Sequence, residues 1–174
     1  WLFYGADGLS GAELETADLA LSWTEGSDPI FADSLLIEDY DGDGYGDLII
    51  GASGDDTGAG NAGGVYLIGG GSGLSSAIDV PGDLDLTIAG PSSVGDARTG
   101  SAMVAEDING DGYRDMVIGG PYADTNDTQA GAVYLIYGAL TALSGTDEMD
   151  LADAVFHGES LTDWAGHSVA AADL

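Results

Sequence analysis

Apolar residues along this chain come in short runs, and small polar turn formers separate them. Ser101–Glu106 alternates apolar with polar; Met116–Ile118 is continuously apolar. Val133–Tyr137 is rich in β-branched and aromatic residues, and Ala152–Phe156 closes the series. Runs of this length, bounded by Gly, Asp, Asn and Pro, predict β-strands. The nearest approach to a helical pattern is Ala139–Ala152, and Gly145 within it argues against a helix. The chain reads as all-β.

The strand pattern recurs. "EDYDGDGYGDLIIGA" at 38–52 matches "EDINGDGYRDMVIGG" at 106–120, an offset of 68 residues. The same offset carries "GGVYLIGG" at 63–70 onto "GAVYLIYG" at 131–138 and "LTIAG" at 86–90 onto "AVFHG" at 154–158. Partial copies flank these: "WLFYG" at 1–5 resembles "YLIYG" at 134–138, "LALSW" at 19–23 resembles "LDLTI" at 84–88, and "GHSVAAADL" at 166–174 resembles "GSAMVAEDI" at 100–108. A repeated four-stranded antiparallel unit is the pattern of a β-propeller blade. The expected organisation is therefore the outer strands of a partial blade at 1–29, full blades at 30–97 and 98–165, and the first strand of a following, truncated blade at 166–174. Two blades with partial neighbours leave sheet edges open. Further blades, from the same chain or from a neighbouring subunit, are thus expected partners, and the chain reads as a piece of a longer one.

Between the first two strands of each full blade lies an acidic stretch. Oxygen donors at positions 1, 3 and 5, a glycine at 6 and a backbone carbonyl at 7 describe a calcium loop. The first loop offers Asp39, Asp41, Asp43, Gly44 and the carbonyl of Tyr45; the second offers Asp107, Asn109, Asp111, Gly112 and the carbonyl of Tyr113. An EF-hand places Glu at position 12, where this chain has Ile50 and Ile118 inside apolar strands. The helix–loop–helix reading fails, and Asp47 and Asp115 at position 9 become the expected closing ligands. Hard oxygen donors without Cys or His favour Ca²⁺ over transition metals, and flexible carboxylates suit Ca²⁺ better than Mg²⁺. Asp-Gly pairs also make ordinary turns, but ordinary turns do not explain one five-point spacing at the same place in two repeats. Two calcium sites are expected.

Composition narrows the partners. The 174 residues hold 31 Asp and Glu against 2 Lys and Arg, a formal net charge of -29. Arg98 and Arg114 alone build no basic patch, which excludes nucleic acid and disfavours anionic membrane surfaces. No run is apolar enough for membrane insertion through a helix. The absence of cysteine rules out disulfides and thiolate chemistry. "WLFYG" carries no basic n-region of a signal peptide.

These motifs resemble the FG-GAP repeats of integrin α-subunit propellers and their bacterial relatives. The Gly-Ala-Pro element corresponds to Gly51-Ala52-Ser53 and Gly119-Gly120-Pro121. Phe-Gly and the following Ser-Val-Ala correspond to Ala165-Gly166 and Ser168-Val169-Ala170. Phe31-Ala32 and Thr99-Gly100 each keep half of Phe-Gly, and Ser53 replaces Pro. The resemblance implies an extracellular or cell-surface, calcium-stabilised propeller, non-enzymatic, acting in adhesion, recognition or assembly on a protein or glycan ligand. Two alternatives stand beside it: a lectin-type propeller with glycans in inter-blade pockets, and an accessory module of a secreted hydrolase.

Other candidates carry less. His157 and His167 face Ala89 and Ser101 in the repeat alignment, so neither belongs to the repeated design. A His167–Ser168 nucleophile competes with a structural serine in the Ser-Val-Ala strand. Carboxylate pairs for glycoside hydrolysis can be drawn almost anywhere in so acidic a chain. Tyr66, Tyr134 and Trp164 are expected to pack between blades rather than stack on sugars. Asn126 heads a glycosylation triplet.

Overall fold

The computed structural model describes residues 20–23, 32–56, 60–71, 77–80, 84–91, 96–124, 128–138, 145–148 and 152–172. Eleven strands and no helix occur among them. The first blade is β2 (Ser34–Glu38), β3 (Asp47–Ala52), β4 (Gly64–Ile68) and β6 (Leu86–Ala89). The second is β7 (Ala102–Glu106), β8 (Asp115–Gly120), β9 (Ala132–Ile136) and β11 (Ala154–His157). Each is an antiparallel meander, in spatial order β6-β4-β3-β2 and β11-β9-β8-β7. Glu38 pairs with Asp47 in one and Glu106 with Asp115 in the other, so both acidic turns leave the sheets at the same register.

Strand alternation divides each blade into two faces. Ile49, Val65, Leu67 and Ile88 of the first blade share one core with Met103, Met116, Ile118 and Tyr134 of the second. The opposite face of the first blade carries Leu48, Ile50, Tyr66 and Ile68, packed with Ile78 and Leu21. Cover on both sides is why "DLIIGA" reads as an unbroken apolar run: every residue of β3 is buried.

Glycine permits the closest inter-blade contact. A Cβ on Gly51 would lie 2.0 Å from the carbonyl oxygen of Gly100, and one on Gly119 would lie 2.0 Å from that of Gly166. Gly100, just ahead of the second blade, thus seats on Gly51 near the end of β3, and Gly166 seats in the same way on Gly119 near the end of β8. This contact is the physical content of the Phe-Gly and Gly-Ala-Pro elements.

Two strands were not foreseen. β5 (Ala77–Val80) pairs parallel with β1 (Ala20–Trp23), and β10 (Gly145–Glu148) pairs parallel with β6. They occupy equivalent places 68 residues apart, each in the connection between the third and fourth strands of a blade. β10 joins the sheet of the first blade from within the second, making that sheet five-stranded. The connection over 139–152 is therefore neither helix nor plain loop at 145–148, but a clasp on the preceding blade. "WLFYG", Phe31 and Asn126 lie outside the described residues. The strand expected at 166–174 is not formed over 166–172. β2 and β7 are held by pairing with the strand beyond their turn, and no strand among the described residues offers that pairing to 168–172.

Candidate metal centre

Each acidic turn folds around its own carboxylates. In the first, Asp39 Oδ2 accepts from the Gly44 amide at 3.1 Å, Asp41 Oδ1 from that of Asp43 at 3.0 Å, and Asp43 Oδ1 from that of Tyr45 at 2.8 Å. In the second, Asp107 accepts from Gly110, Asp111 and Gly112, Asn109 Oδ1 from Asp111, and Asp111 Oδ1 from Tyr113. Gly44 and Gly112 adopt φ of 92° and 93°, a left-handed turn that side chains resist. The two loops are thus one design executed twice.

The side chains converge. One carboxylate oxygen each from Asp39, Asp41 and Asp43 lies within 4.8 Å of the others. Asp41 shows the crowding: its carboxyl is raised above its ordinary value by desolvation and by the charges of Asp47, Asp43 and Asp39, against the lowering effect of the Asp43 amide. In the second loop Asn109 stands at the Asp41 position and donates from Nδ2 to Asp111 Oδ2 at 2.9 Å, which relieves one repulsion. Three hard oxygens gathered without an intervening cationic side chain fit a calcium ion. The second loop repeats the turn with an amide in place of one carboxylate, a weaker donor set.

Asp47 and Asp115, the expected closing ligands, lie beneath the turns. Both are fully buried. Asp47 Oδ2 takes the amides of Tyr40 at 2.8 Å and Asp41 at 3.3 Å, while Oδ1 takes that of Gly70 at 2.8 Å. Asp115 repeats this with Ile108, Asn109 and Gly138. The ninth-position carboxylate therefore ties the acidic turn to the end of the third strand, and the structure does not gather Asp47 with Asp39, Asp41 and Asp43. Tyr45 and Tyr113 sit at position 7 of their turns, Tyr45 with its side chain exposed.

Arg114 was not singled out by its spacing. It stands where the first loop has Gly46, donates to Glu106 at 2.5 Å and lies 3.7 Å from Glu38. Those two glutamates immediately precede the first donor of each loop. A groove of about 470 Å³ between the turns is lined by Asp39, Gly42, Glu106, Asp107, Gly110, Gly112 and Arg114. The only sequence signal was the rarity of a basic residue. Tyr40, at position 2, turns inward and joins the shared core; its hydroxyl is pushed up to about 12 by burial, then by Asp115 and Asp153.

A family model described as FG-GAP repeat matches residues 31–68 and 99–136. The chain carries two FG-GAP repeats. Each matched segment begins just ahead of the inner strand, passes through the acidic turn and ends with the third strand, again 68 residues apart. Beyond the FG-GAP repeats themselves, the chain is similar to phosphatidylinositol-glycan-specific phospholipase D. It is 38% identical to the Bos taurus protein over 114 residues, 61% of this chain and 13% of that protein. It is 30% identical to the Homo sapiens protein over 179 residues, 97% of this chain and 20% of that protein. The chain thus spans a fifth or less of the length of these curated relatives.

Proposed function

We propose that this chain is a calcium-binding, extracellular β-propeller segment that serves recognition or assembly and carries no catalytic site of its own. The observation behind the proposal is the convergence of Asp39, Asp41 and Asp43 within 4.8 Å, in a turn whose backbone is repeated at Asp107, Asn109 and Asp111. The Tyr45 and Tyr113 carbonyls complete the donor sets. Asp47 and Asp115 brace the loops from beneath through the amides they accept. A bound ion neutralises a cluster that otherwise repels by ~4 kcal/mol per close pair at a surface, and so rigidifies the turn between inner strands. Turn sites of this kind match the millimolar calcium outside cells, where module affinities run to about 10⁻⁴–10⁻³ M. A surface as acidic as this one stays soluble there.

A second reading is favoured by the relatives. Their names describe a hydrolase of phosphatidylinositol glycans, and the similarity covers a fifth of the human protein. In that reading the FG-GAP repeats are an accessory module of a larger secreted hydrolase, with calcium in the same turns.

The test is thermal unfolding of the full chain with calcium from zero to 10 mM, followed by excess EGTA. Binding restricted to the folded state raises stability by ~2.7 kcal/mol at a hundredfold excess over Kd, a rise in Tm that EGTA reverses. A transition indifferent to both would remove calcium from the account. Cleavage of a phosphatidylinositol-glycan anchor by the chain alone would overturn the non-catalytic assignment.

A further inference from the structure

At the end of the strands opposite the acidic turns, four side chains form a continuous surface cluster. Arg98 lies over the Tyr122 ring, 5.0 Å from its centroid. Tyr122 meets Trp164 at 6.2 Å and 50°, and Trp164 stacks on His167 at 6.5 Å and 27°. Arg98 is paired with Asp96 at 3.3 Å. Trp164 was expected to pack between blades like Tyr66 and Tyr134. The two tyrosines are 1% and 3% exposed, whereas Trp164 is 44% exposed and the neighbouring Leu161 56%.

The fold does not require these rings. Arg98 and Trp164 occupy the same backbone site of successive repeats, both with φ of 53°. Their amides bond the carbonyls of Asn61 and Gln129, and their carbonyls accept from Ser101 and His167. One turn is therefore built twice, once with Arg and Ser and once with Trp and His. At the earlier junction Gly54 stands in place of Tyr122. A left-handed conformation suits glycine and is strained for tryptophan, so Trp164 is held there against local preference. At the equivalent turn, which the second blade does follow, the Arg98 side chain remains 39% exposed.

From this geometry we infer a carbohydrate-binding site built on Trp164, Tyr122, His167 and the Asp96–Arg98 pair, taking a neutral glycan. The C–H face of a pyranose stacks on an exposed indole, and the flanking imidazole, guanidinium and carboxylate present donors and acceptors to its hydroxyls. Charge selects among occupants. A polyanion is repelled by the net charge of -29. A cationic peptide is drawn instead to the acidic turns. Here Arg98 is balanced by Asp96, which leaves an amphipathic, uncharged ligand as the complement.

Trp164→Gly is the decisive variant, because glycine relaxes the backbone while removing the ring. The full chain is titrated with neutral di- and trisaccharides of glucose, galactose, mannose and N-acetylglucosamine. Saturation-transfer NMR identifies the sugar protons in contact, and thermal unfolding is recorded alongside. Expected is saturable binding of at least one series, weakened tenfold or more in Trp164→Gly and Tyr122→Ser and within about threefold of wild type in Trp164→Phe. Tm and its calcium response should be kept or raised in Trp164→Gly. No binding of any neutral series at 10 mM sugar, wild-type affinity in Trp164→Gly, or a preference for sulfated glycans would each overturn the inference. None of the overturning outcomes involves calcium, so failure of one proposal leaves the other standing.

Discussion

Single residues carry the repeat. Gly44 and Gly119 are both glycines of the motif, and physics separates them. Around Gly44 a Cβ meets nothing within 4 Å, so Gly44→Ala pays only for its left-handed φ, ~1 kcal/mol. Around Gly119 the Cβ strikes the Gly166 carbonyl, and relief requires the backbone at Gly166 to move off the second blade. Gly119→Ala should cost ~3 kcal/mol or more, and urea unfolding of the two variants should rank them in that order. Tyr40 carries a second prediction. Its folded-state value of about 12 lies above the ordinary 10, so the buried phenol keeps its proton while the unfolded chain loses it. That contribution is whole below pH 10 and is lost as pH rises toward 12, by at most about 3 kcal/mol. Tyr40→Phe should remove this part of the alkaline loss between pH 9 and 11.5 while changing little at pH 8. An identical alkaline slope in wild type and variant would refute it. None of this was legible from spacing alone, which located Asp47 and Asp115 in the loops but not their burial beneath them.

At the scale of elements, the four strands of each blade and the turn between the first two were legible because apolar runs, turn residues and a fixed offset all agreed. β5 and β10 were not. "AIDV" and "GTDE" are short, carry charge and lie among Gly and Ser, so nothing local marks them as strands; β10 pairs with the outer edge of the first blade and β5 with β1, far away in sequence. The acidic turns, by contrast, invite a prediction from composition. The first offers three carboxylates at positions 1, 3 and 5, and the second replaces one with Asn109. A missing unit charge about 4 Å from a divalent ion is worth ~2 kcal/mol in water, so the first loop should bind calcium roughly tenfold or more tightly. Calorimetry on Asp41→Ala and Asn109→Ala reports each loop in turn. Asp41→Ala should abolish the stronger phase and Asn109→Ala the weaker, and the reverse assignment would refute the argument.

The whole molecule presents two unlike faces. On the first blade, Leu35 and Ile37 pair with Ile50 and Leu48 and stay 54% and 59% exposed. On the second, Val104, Val117, Val133 and Phe156 occupy the places that Leu36, Ile49, Val65 and Ile88 hold in the first blade. In the first blade those side chains are packed or buried against the second, whereas Phe156 is 60% exposed. The outer face of one copy is therefore shaped like the surface that already receives a blade within the chain, and the two faces complement each other head to tail. Such a contact does not close on itself as a twofold dimer does. Opposing it is the charge of -29, whose reach falls from about 10 Å at 0.1 M salt to 3 Å at 1 M. Association should accordingly strengthen with salt and with calcium, and proceed beyond dimer. Sedimentation velocity at both ionic strengths tests this, with Ile37→Lys and Phe156→Lys each expected to block growth from one end. A chain that stays monomeric at 1 M salt with calcium would mean that these faces do not recognise each other.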